Sequence, residues 1–190
     1  AILEFKQTYL SIELANGALR EIPVERISDF VADWGQAFSQ AEVLRADFQF
    51  KEALPLYRQA FRNHAAVWLR RHNTARQIAC LSALGQWVDA ADLYIEGLNS
   101  VNDDALYLEI LPLIWSRQTI TPQMVQRASN WVSTENSEIT QLLGASWLMD
   151  SPKRTDAIST LTRIENSNNS NSKYRLVKKM YFSIFCSNLI

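Results

Sequence analysis

The spacing of apolar residues changes once along this chain, near residue 24, and nothing else in the sequence restricts the fold as strongly. Before the change, Leu10, Ile12 and Leu14 alternate with Ser11 and Glu13, the period of two that suits a strand with one buried face. After it, Ile27, Phe30, Val31, Trp34, Phe38, Ala41 and Leu44 recur at intervals of three and four, which lines one side of a helix. The helical period then persists to about residue 165. With five glycines and five prolines in 190 residues, the chain has too few turn formers for a collagen-like or many-turned all-β protein. The pattern predicts a mainly α protein with a short β segment in front.

Residues 1–26 are expected to form a β-hairpin, which could be the remnant of an upstream β module. Asn16-Gly17 is the turn signal, because both residues tolerate the positive φ of tight turns, and Ile22, Pro23 and Val24 supply the returning strand. Two registers are open. A three-residue loop sets Ile12 opposite Ile22 and Leu10 opposite Val24, whereas a two-residue turn sets Ile12 against Glu21. Two strands are marginal alone, so the hairpin must pack on the helices, pair with an upstream strand, or pair with another molecule. The chain opens Ala-Ile-Leu-Glu-Phe without a starting Met and without a charged segment followed by an apolar one, so the N-terminus is expected to be trimmed. No run approaches the roughly 18 apolar residues that cross a bilayer. A soluble chain is expected, with cytoplasmic and exported locations both open.

Residues 27–165 read as one helical, repeat-like domain. Helix one carries the stripe from Ile27 to Leu44, and further stripes occupy residues 50–61, 65–84, 87–98, 103–116, 122–133, 136–149 and 152–165, eight helices in all. Thr121-Pro122 and Ser151-Pro152 each place a hydroxyl at the N-cap and a proline at the first helical position, where its missing N–H costs nothing. Short links favour antiparallel neighbours. Trp115, Trp131 and Trp147 recur every 16 residues, as though successive helices set a large ring at equivalent depth; unrelated core tryptophans are the alternative.

Ala53, Tyr57 and Ala60 are echoed 37 residues later by Ala90, Tyr94 and Gly97, with Gly85 and Trp87 ahead of the second set. This resembles tetratricopeptide repeats, in which small residues let paired helices approach and an aromatic fills the gap above them. A weaker copy is Ala157, Leu161 and Ile164, with Leu143, Gly144 and Trp147 at first-helix positions. The pattern departs from that family in its 37-residue spacing, in Pro55 inside the first copy, and in residues 99–133, which match nothing. The resemblance, over about half the chain, implies an irregular α-solenoid of antiparallel helix pairs, TPR-like, preceded by the hairpin. A compact non-repeat bundle is the alternative.

Residues 166–172, Asn-Ser-Asn-Asn-Ser-Asn-Ser, are expected to be a flexible linker. Beyond it, residues 173–190 are expected to form a terminal amphipathic helix with Leu176, Val177, Met180, Tyr181, Ile184, Phe185 and Leu189 on one side and Lys173, Arg175, Lys178 and Lys179 at its front. Such a helix caps a solenoid, docks a partner or membrane surface, or stays disordered.

No cofactor, metal or catalytic motif is found. His64 and His72 have no metal-ligand spacing around them, the five glycines are all isolated, and no Gly-x-Ser-x-Gly elbow occurs. Cys80 and Cys186 cannot build a disulfide framework, and Cys80 beside Ile78 and Leu81 reads as core. Asp103 and Asp104 follow Asn102 at a helix start, where acids suit the helix dipole. The expectation is a protein that is not an enzyme.

Charge is more informative. The formal net charge of -1 conceals blocks of -4 over residues 1–52, +5 over 53–76, -6 over 77–116, zero over 117–165 and +4 over 166–190. The +5 block is all arginine: Arg58, Arg62, Arg70, Arg71 and Arg76, a residue suited to bidentate carboxylate recognition. Two arrangements are open. Arg70, Arg71 and Arg76 face Asp89, Asp92 and Glu96 across an antiparallel pair, or Arg58 and Arg62 join the second cluster and Trp68 in a basic groove for a protein or acidic peptide. Nucleic acid is not expected as a partner, since acidic blocks flank the arginines. The sequence thus reads first as a non-catalytic protein or peptide interaction and scaffold module. The alternatives are a structural or assembly domain of a larger exported or envelope protein, and an enzyme without a local motif.

Overall fold

The protein, seen in a computed structural model, is described over residues 2–5, 9–27, 33–63, 66–100, 112 and 120–166. It divides into two compact units, residues 1–112 and 113–190. The expected helix over 103–116 with Trp115, the linker beyond Asn166 and the terminal helix 173–190 lie outside the described residues.

The first unit opens with a three-stranded antiparallel sheet: β1 (Ile2–Phe5), β2 (Tyr9–Glu13) and β3 (Leu19–Pro23), in that order. The expected hairpin is present as β2 and β3, but in neither of the two expected registers. Leu10 pairs with Ile22 and Ile12 with Arg20. The loop has three residues, Ala15-Asn16-Gly17, and closes one residue earlier than the expected three-residue loop. Leu14 N–H donates to the Ala18 carbonyl and Gly17 N–H to the Leu14 carbonyl, each at 2.9 Å, and the Asn16 side chain accepts from Ala18 N–H at 3.1 Å. Gly17, at φ 79°, occupies the left-handed position that follows the turn. This register puts Leu10 and Ile22 on one face, where Leu10 is buried. The third strand comes from the chain itself: β1 pairs with β2 through Ile2 opposite Ile12 and Phe5 opposite Leu10. It also lies against the helix Val67–Ala83, so the sheet has a helical support.

Helix one starts later than its stripe predicts. Residues Val24–Arg26 form a single 3-10 turn, and α1 spans Gly35–Ala46. The Asp33 carboxylate accepts from Gly35 N–H at 2.9 Å and Gly35 has φ 72°, a local turn that competes with continued helix. Helices α2 (Phe50–Asn63), α3 (Val67–Ala83) and α4 (Trp87–Ser100) complete the described part of this unit. The second unit contains α5 (Pro122–Trp131), α6 (Glu138–Leu148) and α7 (Arg154–Asn166). Within each unit consecutive helices pack on one another, α1 to α4 in the first and α5 to α7 in the second, so the chain is mainly helical behind an N-terminal hairpin.

The turns between α1 and α2 and between α3 and α4 are built alike. At the first, Phe48 N–H donates to Arg45 O and Gln49 N–H to Leu44 O; at the second, Gly85 N–H donates to Ser82 O and Gln86 N–H to Leu81 O. This is the paired bonding of a Schellman C-cap, which needs a left-handed residue at its centre. Gly85 supplies it at φ 72° and Phe48 at φ 60°. Gln49 and Gln86 then open the next helix, their carbonyls accepting from Ala53 and Ala90 N–H at 3.0 Å. Ala53, Tyr57 and Ala60 in α2 and Ala90 and Tyr94 in α4 are buried, so the 37-residue echo in the sequence is also an echo of backbone and core.

In the second unit Thr121 caps α5 by accepting from Met124 N–H, with Pro122 at the first helical position, as its sequence predicts. Ser151 instead accepts from Lys153 N–H at 3.1 Å, and α7 begins only at Arg154. Gly144 on α6 meets α5 closely: a methyl group there would lie 2.8 Å from the Ala128 carbonyl oxygen and 2.9 Å from Trp131 Cβ. The approach seats the Trp147 ring edge-on to Trp131, with centroids 5.0 Å apart.

Candidate functional site

The five arginines of the central block are dispersed by the helices that carry them. Arg58 and Arg62 stand on α2 one turn apart, both exposed, and neither meets an acid among the described residues. With Lys51 and Pro55 they follow spacings of four, three and four, which forms one exposed line opposite the buried Ala53, Tyr57 and Ala60. Arg70 is exposed on α3, whereas Arg71, on the same helix, is buried. Trp68 is 3% exposed and does not present its ring to solvent. Its ring stands edge-on to Trp34 at 5.3 Å, and Trp34 stacks on Phe38 at 4.7 Å. Phe38 in turn meets Tyr57 at 5.4 Å, so four rings connect α3, α1 and α2.

Arg76 joins a polar cluster at the end of that aromatic row. Its Nε lies 2.9 Å from Glu42 Oε1 as an ion pair whose N–H is not aligned for a hydrogen bond. Arg45, one turn from Glu42 on α1, grips the same carboxylate through Nη2 at 3.1 Å, and Tyr57 donates its hydroxyl to Oε1. One carboxylate therefore ties α1 to both α2 and α3. Burial pushes the Glu42 pKa upward, but the bonds from Arg45 and Tyr57 and the charges of Arg76 and Arg45 outweigh it and hold the group below its ordinary value. Tyr57 moves the other way, raised by burial and by its bond to Glu42. Cys80 is fully buried nearby, and burial pushes its thiol up to about 11, so it stands as a neutral thiol and not as a nucleophile. The acid, the phenol and the thiol are each held in the state that suits a structural clasp.

Sequence reasoning missed Glu42 because its partner Arg76 lies 34 positions away and its acid block was read only as net charge. It also missed Phe48. This residue is 80% exposed in the left-handed region, and the signal that would have found it is its equivalence to Gly85. Polar atoms on α3 are buried without a hydrogen bond among the described residues, namely Trp68 Nε1, Asn73 Nδ2 and Ser82 Oγ. Among the described residues no three His, Cys, Asp or Glu side chains converge as metal ligands, and no helix is long and apolar enough to cross a membrane. Compared with protein-family models, curated proteins and solved structures, the chain matches none.

Proposed function

We propose that this chain is a non-catalytic module that binds a protein or peptide with acidic residues, using the exposed face of α2. The observation that carries the reading is the pair Arg58 and Arg62, one turn apart, exposed, and without an acid partner among the described residues. Two guanidinium groups about 6 Å apart along a helix match carboxylates on alternate residues of an extended peptide. The kinship with tetratricopeptide repeats belongs to the same proposal. Its support is the pair of helix hairpins that share one turn geometry, 37 residues apart, with Ala53 and Tyr57 answered by Ala90 and Tyr94. Helices packed in sequence order present extended faces of this kind to partners.

The test is a titration of fluorescent peptides containing Asp-x-Asp or Glu-x-Glu into the wild type and the Arg58→Glu/Arg62→Glu double variant. Loss of two charge-assisted contacts is expected to weaken binding about tenfold or more, with wild-type affinity falling as salt rises. Equal affinity for both proteins, or no binding by the wild type, removes α2 as the surface.

A further inference from the structure

Asn16-Gly17 occurs once in the chain and joins a side-chain amide to a following backbone nitrogen that has no Cβ beside it. Such a pair can close on itself. The Gly17 nitrogen attacks Asn16 Cγ, the N–Cγ bond forms as the Cγ–Nδ2 bond breaks, and the proton of the Gly17 nitrogen leaves with Nδ2 as ammonia. Water, the only co-reactant, then opens the cyclic imide at one carbonyl to give aspartate or at the other to give isoaspartate. Nothing is oxidised or reduced. Asn16 and Gly17 are both exposed, so water reaches the pair.

The closed loop keeps the reacting groups apart. Gly17 N–H donates to the Leu14 carbonyl at 2.9 Å, which retains its proton, and Asn16 Oδ1 accepts from Ala18 N–H at 3.1 Å, which turns the side chain toward Ala18. Asn16 is also the third residue of the turn that Leu14 opens, where a ψ of about 0° carries the next nitrogen out of the plane that a five-membered ring would need. Yet this end of the sheet has little support. Leu14 and Leu19 are 40% and 73% exposed, β3 is exposed from Leu19 to Glu21, and the buried Leu10 lies at the other end of β2. We propose that Asn16 is a deamidation site controlled by the hairpin: it stays asparagine while the loop is closed and converts to aspartate and isoaspartate through states in which β2 and β3 part at this end. Either product adds a negative charge to residues 1–52, which carry -4. Aspartate keeps an acceptor for Ala18 N–H and fits the same loop, whereas isoaspartate lengthens the main chain by one carbon and draws Gly17 N–H away from Leu14. Asn136-Ser137 is a contrast within the chain, because there Nδ2 donates to the Asn130 and Trp131 carbonyls at 2.8 and 3.2 Å and Ser137 caps α6.

The test incubates the wild type, Ala15→Pro and Leu19→Gly in mildly alkaline buffer, folded and in urea, and follows conversion at Asn16 and Asn136 by peptide mapping with mass spectrometry. Conversion at Asn16 is expected to be about tenfold or more slower in the folded wild type than in the unfolded chain. Proline suits the second residue of this turn, so Ala15→Pro is expected to slow folded-state conversion about two- to fivefold. Leu19→Gly, which weakens an exposed part of β3, is expected to speed it about two- to fivefold. All three proteins should convert alike in urea, and Asn136 should respond to neither substitution. No conversion in the unfolded chain overturns the site. Equal rates in the folded and unfolded wild type, or in the three folded proteins, overturn control by the hairpin. Asn136 changing in step with Asn16 overturns it as well, since the opening would then belong to the whole chain.

Discussion

Glu42 receives Arg45, Tyr57 and Arg76, and each contact enforces a different part of the packing: Arg45 stiffens α1, Tyr57 fixes α2, and Arg76 fixes α3. Removing the acid leaves two partly buried guanidinium groups, of Arg45 and Arg76, and a buried phenol without their acceptor. Glu42→Ala is expected to destabilise the first unit by about 2 kcal/mol, and Tyr57→Phe by about 1 kcal/mol, in urea melts. A double-mutant cycle between them should return a nonzero coupling energy, since they share one bond. Because the folded pKa of Glu42 lies below its ordinary 4.5, its contribution is complete above that value and is lost as pH falls through the folded pKa. The urea midpoint of the wild type should therefore drop on acidification below about pH 4.5 more steeply than that of Glu42→Gln. Cys80, fully buried with a raised pKa, should resist iodoacetamide in the native protein and react once denatured, as peptide mass spectrometry would show.

At the scale of elements, the two matched turns differ at one position, and that difference gives opposite expectations. Gly85→Phe should destabilise by about 1 kcal/mol or more, whereas Phe48→Gly should be neutral or stabilising by up to about 1 kcal/mol, both measured by thermal melts. Gly144→Ala is expected to destabilise despite alanine's better helix propensity, because the new methyl meets the Ala128 carbonyl at 2.8 Å and neither backbone can yield; about 1–3 kcal/mol is the expected loss. Much of this level was legible beforehand. The stripes located α2, α3 and α4, Thr121-Pro122 marked the start of α5, and Asn16-Gly17 marked the hairpin. The start of α1 was not legible, because periodicity in Phe30, Val31 and Trp34 says nothing of the Asp33 side chain capturing Gly35 N–H. The hairpin register was missed because it depends on which loop residue becomes left-handed, and the Asn-Gly pair allows more than one answer. Of the candidate site, Arg58 and Arg62 were readable as exposed from their place opposite Ala53 and Ala60. The burial of Trp68 depends on Trp34, at the start of α1, coming to rest edge-on against it, which no local pattern records.

For the whole molecule, each described core is internal to its own unit: the Glu42 cluster and the aromatic row in the first, the Trp131–Trp147 pair and the Gly144 contact in the second. Glu42→Ala is therefore expected to speed amide exchange across α1 to α3, and Gly144→Ala across α5 to α7, in hydrogen–deuterium exchange followed by mass spectrometry. Uniform acceleration by either variant would mean that the chain opens as one body. The shared turn of the two hairpins also determines which changes of length the chain can tolerate. Gln49 and Gln86 each finish one helix's cap while their carbonyls begin the next helix, so the turn contains no slack residue. Adding or deleting one residue there acts as a screw step of about 100° on the helix that follows. In α2 that step would swing Tyr57 out of the interior and the Arg58–Arg62 line toward it. Tolerated insertions should fall elsewhere, and any natural duplication of the hairpin should be in whole multiples of its 37-residue step.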